Sequence, residues 1–192
     1  MMASSNKREG KMSLELLSKE EINREYALKF LYRYTNRPRV LQETVAEHSF
    51  FVSIFGLKIL SQLKDKLTLE EQNQVLIMCA LHDTAESRTS DVPHNVKARY
   101  PEMRAILEEV ERDYYNECWP DYADIVLNEN SLIFKIMKLA DSYSVLQYAQ
   151  YEIGLGNHSE DIEEIYFNAK QRVESWNDAV NEEIAKREKE SK

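Results

Sequence analysis

Glycine and proline are scarce in this chain. Four of each occur among 192 residues, whereas average usage would give roughly 12% of a chain to these two types. Collagen-like and Gly/Pro-rich low-complexity classes are therefore excluded. A sandwich or barrel with many tight turns is disfavoured, because such turns depend on these residues. The scarcity favours long helices joined by short loops, and we predict an all-α fold.

Cysteine, positive charge and long apolar runs are also limited. Cys79 and Cys118 are too few for a disulfide framework and do not form a CxxC pair. Acidic residues outnumber basic ones by 34 to 25, giving a net charge of −9, which disfavours binding to duplex nucleic acid. No run reaches the roughly 18 apolar residues of a membrane span, and the N-terminal residues lack the apolar stretch of a signal peptide. We therefore expect a cytoplasmic protein without a membrane partner.

Capping boxes mark three helix starts, because Ser or Thr precedes Glu by three residues at each of them. The pairs are Ser18 with Glu21, Thr44 with Glu47, and Thr68 with Glu71. Apolar residues follow each start at helical spacing, and the whole pattern predicts a single compact bundle of six to seven helices. We divide the chain into a flexible N-terminus over 1–12, one helical domain over 13–185 and a charged C-terminal tail over 186–192.

Two helices matter for later comparison with the structure. In the first helix, Ile22, Tyr26, Phe30 and Tyr34 recur at helical period, so we predict that this helix continues to residue 34. A later helix is predicted over about 132–153, and two glycines at 154 and 156 end it.

Two of the four histidines occur in patterns that suit a metal ion. His48 lies on an apolar stretch of the second predicted helix, and His82 is followed directly by Asp83 at the end of the third. Asp141 stands among apolar residues, where a lone carboxylate is costly to bury unless it is paired or metal-bound. Imidazole and carboxylate together suit Mn, Fe, Co, Ni or Zn better than Ca. Each residue alone also fits an ordinary structural role, and their order and spacing favour a site.

The order His48, His82-Asp83, Asp141 on successive helices resembles the H…HD…D pattern of the HD-domain phosphohydrolases. The surrounding segments are similar to those of the HD-domain 5′-deoxynucleotidases. They are ETVAEHS over 43–49, HDTAE over 82–86, TSDVP over 89–93 and KLAD over 138–141. The resemblance covers about residues 20–155 and implies that the helical domain is an HD domain with metal-dependent phosphohydrolase activity.

The resemblance implies a role for each matching residue. His48, His82, Asp83 and Asp141 would bind one divalent ion, whose identity stays open among Co, Mn, Mg, Zn, Fe and Ni. Such an ion lowers the pKa of bound water and polarises the phosphorus centre. Glu86 would transfer a proton to the leaving oxygen or from the attacking water.

The resemblance also implies residues that contact the substrate. Asp91 would be a second acid that holds the nucleoside side or assists catalysis. Arg33 lies 15 residues before His48, where the family places a phosphate-binding arginine beside an aromatic residue, here Tyr34. This aromatic is typically tryptophan in the deoxynucleotidases, so selection for deoxyribose stays open. Other cations that suit the phosphate are Arg37, Arg39, Lys97 and Lys138.

The preferred function is a metal-dependent 5′-nucleotidase that hydrolyses deoxynucleoside 5′-monophosphates to deoxynucleosides and phosphate. The first alternative keeps the same metal site but releases triphosphate from a deoxynucleoside triphosphate such as dATP. A catalytically silent nucleotide-sensing module is the second alternative, and its mark would be a missing ligand or a missing Glu86. His94 is expected not to bind metal, because two-metal HD enzymes usually carry additional histidines.

We also expect a homodimer, with an interface on the last two predicted helices. Their aromatic residues Tyr148, Tyr151, Tyr166 and Trp176 are the predicted contacts. Helix packing within one chain is the alternative use of the same aromatic side chains.

Overall fold

A computed structural model of the chain describes residues 16–190, apart from the side chains of residues 94, 95 and 98. The predicted flexible N-terminus over 1–12 lies outside the described residues. The helices are α1 Lys19–Tyr26, α2 Val45–Leu63, α3 Leu69–Leu81, α4 Glu86–Thr89, α5 His94–Arg99, α6 Pro101–Cys118, α7 Ala123–Val126, α8 Leu132–Gly154 and α9 Glu160–Glu190. A 3₁₀ segment over Ala27–Phe30 follows α1. The all-α prediction is confirmed, and residues 16–190 form six helices of at least eight residues and three short ones.

The three predicted capping boxes are all present. In each, the Ser or Thr hydroxyl accepts a hydrogen bond from the backbone N–H three residues on, and the Glu side chain accepts one from the cap N–H. The box at Thr44 fixes the start of α2 four residues before His48. Local sequence therefore sets where this histidine enters the fold.

The main core lies between α2, α3 and α8, and α9 packs along α8. Its buried members include Val52, Leu60, Val75, Met78, Ile136, Met137 and Val180. Helices α2 and α3 approach closely at Gly56, where an added Cβ would lie 2.8 Å from Cys79 Sγ. Because Gly56 has no side chain, α2, which carries His48, packs closely against α3, which His82 follows.

Ion pairs attach the long helix α9 to the rest of the bundle. Lys135 Nζ lies 2.9 Å from Glu183 Oε2, and Arg187 pairs with Glu71 at the start of α3. Helix α9 continues through residues 186–190, which the sequence assigned to the charged tail. None of the described helices has the length and hydropathy needed to cross a membrane.

The prediction that the first helix reaches residue 34 is wrong. Helix α1 ends at Tyr26, and the chain from 31 to 44, which we call the strap, leads to α2. In the strap, Tyr32 forms an isolated antiparallel bridge with Thr44, and Arg33 N–H donates to the Glu43 carbonyl at 2.9 Å. These long-range backbone bonds replace the helical ones, and Tyr34 takes a left-handed conformation with φ 56°.

The aromatic residues that we predict for a dimer interface on the last two helices differ in their exposure. Tyr148 is 5% exposed and packs inside the molecule, whereas Tyr151 is 60% exposed. Trp176 is half-buried and meets the Phe134 ring edge-on, with centroids 6.0 Å apart. Tyr148 and Trp176 therefore pack within the chain, whereas Tyr151 lies at the surface.

Candidate metal centre and active site

The predicted ligand residues meet where α2, the end of α3 and the middle of α8 come together. His48 is fully buried near the start of α2, and His82 ends α3 with Asp83 directly after it. From α8, Asp141 places its Oδ1 3.2 Å from His48 Nε2. Asp83 Oδ2 lies 3.2 Å from His82 Nε2 and 3.6 Å from His48 Nε2. Two imidazole nitrogens and two carboxylates thus share one small volume.

Both histidines turn a free nitrogen toward this volume. His82 Nδ1 lies 3.0 Å from the Cys79 carbonyl oxygen, and His48 Nδ1 lies 3.1 Å from Ser144 Oγ. Such contacts orient the rings of metal-binding histidines. Both Nε2 atoms are buried and lack a hydrogen-bond partner among the described residues, which is costly unless a cation binds them. Ligand atoms of His48, His82 and Asp83 lie within 4.8 Å of one another, so these residues fit one divalent metal ion.

Burial and nearby charges set the protonation of this cluster. Burial, followed by the Arg33 guanidinium, lowers the pKa of His48 to about 4, so its imidazole is neutral near pH 7. Although burial opposes ionisation, His82 and His48 hold the pKa of Asp83 well below its usual range. His48 and a neighbouring lysine do the same for the pKa of Asp141. A neutral imidazole between ionised carboxylates is a form that binds metal ions.

Two further acids stand beside the cluster, as the sequence predicted. Glu86 is the first residue of α4, and its Oε2 is buried without a hydrogen-bond partner among the described residues. Burial, with the charges of Asp83 and Asp91, raises the pKa of Glu86 to about 9. Burial also raises the pKa of Asp91, while Arg33 and the Tyr34 N–H oppose the shift. Glu86 therefore carries a proton near pH 7, whereas Asp83 does not.

The strap brings a guanidinium and an aromatic ring to the same cavity. The Arg33 guanidinium lies over the Tyr34 ring, 5.1 Å from its centroid. That ring stacks on Tyr148 of α8, with centroids 4.5 Å apart and planes at 13°. Arg33 Nη1 donates to Glu43 Oε2 at 3.1 Å, and burial raises the pKa of Glu43 to about 7 despite the arginine. The Tyr34 hydroxyl is buried and unpartnered among the described residues.

These groups line one cavity of about 700 Å³. Its metal end holds Asp83, Asp141, Glu86 and Asp91, with Arg33, Lys97 and Lys138 around them. The opposite wall is a face of α9 that contributes Ile165, Asn168, Gln171, Arg172 and Ser175. All nine predicted site residues belong either to the metal cluster or to this cavity.

The other arginines that the sequence offered for phosphate binding, Arg37 and Arg39, have partners within the protein. Arg37 lines the cavity but pairs with Asp161 of α9 at 2.5 Å. Arg39 donates to the Tyr34 carbonyl oxygen at 2.7 Å and so supports the strap. The side chain of His94 lies outside the described residues.

Sequence reasoning missed three residues that shape the site. Glu43 and Tyr148 hold Arg33 and Tyr34, and Ser144 contacts the first histidine ligand. The spacing of Ser144 and Tyr148 from Asp141 is three and seven residues, which places all three on one face of α8. The sequence spacing could therefore have identified Ser144 and Tyr148. The pairing of Glu43 with Arg33 could not be identified in this way, because it depends on the backbone path of the strap.

Comparisons with known proteins agree with this geometry. A family model described as 5′-deoxynucleotidase YfbR-like matches residues 25–185. No curated protein matches the chain. The solved structures with the same fold include a conserved hypothetical protein from Pyrococcus furiosus, with 22% identity, a TM-score of 0.70 and coverage of 88% of this chain and 99% of that chain.

Two similar structures are HD-domain phosphohydrolases. The protein from Listeria innocua is 21% identical with a TM-score of 0.70, and the alignment covers 84% of this chain and 82% of that chain. The cyanophage S-2L enzyme, bound to dA and one catalytic Zn²⁺ ion, is 15% identical with a TM-score of 0.60, covering 90% and 99%. At these identities the likeness shows the fold, and the family model supplies the assignment. The chain belongs to the YfbR-like 5′-deoxynucleotidase family and is a metal-dependent phosphohydrolase.

Proposed function

We propose that this protein hydrolyses deoxynucleoside 5′-monophosphates to deoxynucleosides and inorganic phosphate. The observation that carries the proposal is the pair of buried, unpartnered histidine nitrogens at the end of a cavity that also contains Arg33 and Glu86. A phosphate monoester needs a cation, a proton donor and room for the nucleoside, and this cavity offers all three.

His48, His82, Asp83 and Asp141 would hold one divalent ion. When bound, the ion supplies Lewis acidity toward a phosphate oxygen and lowers the pKa of water. The remaining chemistry falls to the side chains around it. Arg33 offers a planar set of N–H donors that matches phosphate oxygens.

Two acids and two lysines around the cavity have further roles in the proposed reaction. Glu86 has the raised pKa of a general acid, so its carboxyl can donate a proton to the leaving 5′ oxygen. Asp91 faces the Tyr34 N–H and thereby supports the strap next to the sugar. Lys97 and Lys138 line the metal end of the cavity and add positive charge for the phosphate.

A second candidate keeps this site and changes the bond that is cut. Arg172 of α9 also lines the cavity, so a triphosphate would meet one cation in addition to those near the metal. The cyanophage enzyme with the same fold binds dA, which suits a deoxyadenosine substrate for either reaction. The second candidate is a deoxynucleoside triphosphate triphosphohydrolase acting, for example, on dATP.

Product analysis separates the two candidates. The purified protein is incubated with dNMPs, NMPs and dNTPs in the presence of Mn, Co, Mg or Zn, and the Asp83→Asn variant serves as the control. Orthophosphate and deoxynucleoside from dNMPs support the first candidate, whereas tripolyphosphate from dATP supports the second. Turnover by Asp83→Asn equal to that of the wild type would contradict the metal mechanism for both.

The domain limits 13–185, the cytoplasmic location and the homodimer remain predictions. Exposed apolar side chains occur on several elements of the described residues, for example Phe50 and Phe51 on α2, Tyr151 on α8 and Phe167 on α9. Light scattering on the purified full chain tests the homodimer, because it gives the mass of one or two copies.

A further inference from the structure

Glu43 forms hydrogen bonds with both the backbone and the side chain of Arg33. Its carbonyl oxygen accepts the Arg33 backbone N–H at 2.9 Å, and its Oε2 accepts from Arg33 Nη1 at 3.1 Å. Both side chains are largely buried, with 14% of the arginine and 13% of the glutamate side chain exposed. The backbone bond fixes the two residues relative to each other, and the buried side-chain bond from Nη1 then limits the directions in which the guanidinium can point.

The pair leaves most of the guanidinium available to a ligand. Arg33 has five N–H donors in a planar fork, and its side-chain hydrogen bond to a described residue comes from Nη1. Arg33 lines the cavity, whereas Glu43 is not among the lining residues. Glu43 therefore touches the arginine without touching the space in which a substrate would lie.

The same contact ties the arginine to the metal ligands. Glu43 precedes Thr44, which caps α2, and α2 carries His48 four residues later. The strap on the other side is held in a sparsely populated conformation, since Tyr34 has φ 56°. Non-glycine residues keep such a backbone only when their surroundings enforce it, and such strain gathers at functional sites. Glu43 is thus the link between a strained strap and the helix that carries a ligand.

We propose that Glu43 is a positioning residue that fixes Arg33 for recognition of the substrate's phosphoryl group. This inference rests on the proposed function, in which Arg33 binds phosphate. It assigns to Glu43 an effect on phosphate affinity that is transmitted through Arg33 alone. A residue with a merely structural role would change phosphate affinity whether or not the arginine is present.

A double-mutant cycle tests this dependence. The variants are Glu43→Ala, Glu43→Gln, Arg33→Ala and Arg33→Ala/Glu43→Ala, and the exposed Glu174→Gln is the matched control. The readouts are KM and kcat for a dNMP, and the rise in Tm that inorganic phosphate produces in the metal-loaded protein. The second readout reports phosphate binding without requiring turnover.

We expect Glu43→Ala to weaken phosphate binding and raise KM by about ten-fold, with a smaller change in kcat. Glu43→Gln retains an acceptor oxygen for Arg33 and should recover part of the loss. In the Arg33→Ala background, removal of Glu43 should change phosphate affinity less than two-fold. Should Glu43→Ala fail to fold, Glu43→Gln paired with Arg33→Ala gives the same cycle.

Two results would overturn parts of the reasoning separately. Equal effects of Glu43 removal with and without Arg33, or unchanged phosphate affinity in Glu43→Ala, would refute the positioning role and leave the proposed function intact. Unchanged KM and phosphate affinity in Arg33→Ala would instead refute the phosphate role of Arg33 on which the inference rests.

Discussion

The buried carboxylate of Glu152 should be a major source of stability for the strap. Glu152 is fully buried near the end of α8, and its oxygens accept hydrogen bonds from Val40 N at 2.9 Å, Leu41 N at 2.5 Å and Asn157 Nδ2 at 2.6 Å. Replacing Glu152 with Ala removes the acceptor from three donors at once. Hydrogen bonds to a charged group are worth about 1.5–3 kcal/mol each.

The expected loss is smaller than the sum of three such bonds, because water reaches the exposed Val40 and can replace part of what is lost. We expect Glu152→Ala to lower the free energy of unfolding by about 3–5 kcal/mol. For a chain of this length, each kcal/mol shifts Tm by about 2–4 °C, so the drop in Tm should be about 6–20 °C. Glu152→Gln keeps one acceptor oxygen, so its Tm should lie between those of the wild type and Glu152→Ala.

Thermal unfolding followed by circular dichroism gives the measurement, with the exposed Glu174→Ala as the matched control. Although burial opposes ionisation, Asn157 and the backbone N–H groups of Val40 and Leu41 hold the pKa of Glu152 below its usual value. A carboxyl whose pKa is lower in the folded than in the unfolded protein stabilises the fold at pH above its unfolded pKa. This contribution is lost as the pH falls through its folded pKa. The difference in Tm between the wild type and Glu152→Ala should therefore become smaller at acid pH. A Tm within about 2 °C of wild type at pH 7 would refute this reasoning, given the conversion above.

Three further predictions concern the metal, the acid and the helix contact. A chelator should abolish hydrolysis and lower Tm, and added Mn or Zn should restore both in the wild type but not in Asp83→Asn. Glu86→Gln should lower kcat by about 10²–10⁴-fold with little change in KM, measured by steady-state phosphate release; an unchanged kcat would remove Glu86 from proton transfer. Gly56→Ala should cost about 1–3 kcal/mol in urea unfolding, and Cys79→Ala in the same chain should relieve part of it, whereas strictly additive effects would contradict the proposed clash.

Local signals placed the two histidines on their helices, whereas the set of four metal ligands was implied by the resemblance to the HD-domain phosphohydrolases. The capping box at Thr44 fixes the start of α2, and with it the position of His48. The adjacent pair His82-Asp83 ends α3 whatever the rest of the chain does, because the pair is a property of neighbouring residues. That α2, α3 and α8 bring His48, His82 and Asp141 together depends on helix packing, which these local signals do not report.

The strap was not predictable in the same way. The helical spacing of Ile22, Tyr26 and Phe30 suggested a helix that continues to Tyr34, yet these three side chains are 52–64% exposed and mark no buried face. The strap backbone is instead decided by bonds to residues ten or more positions away, which periodicity does not report. Glu152 could have been found, since it follows Asp141 by eleven residues and therefore lies on the same face of α8.

The arrangement of charge explains how an acidic chain can bind an acidic substrate. Four carboxylates gather at the metal end of the cavity, namely Asp83, Asp141, Glu86 and Asp91. Without a cation their field would repel a phosphate dianion, and Arg33 alone would not reverse it, because its charge is already shared with Glu43. A divalent ion at the histidines neutralises the charge of the two ligand carboxylates. Phosphate affinity should therefore rise when the metal is bound, because the metal adds to the charges of Lys97 and Lys138, and Arg33 gives the phosphate its direction.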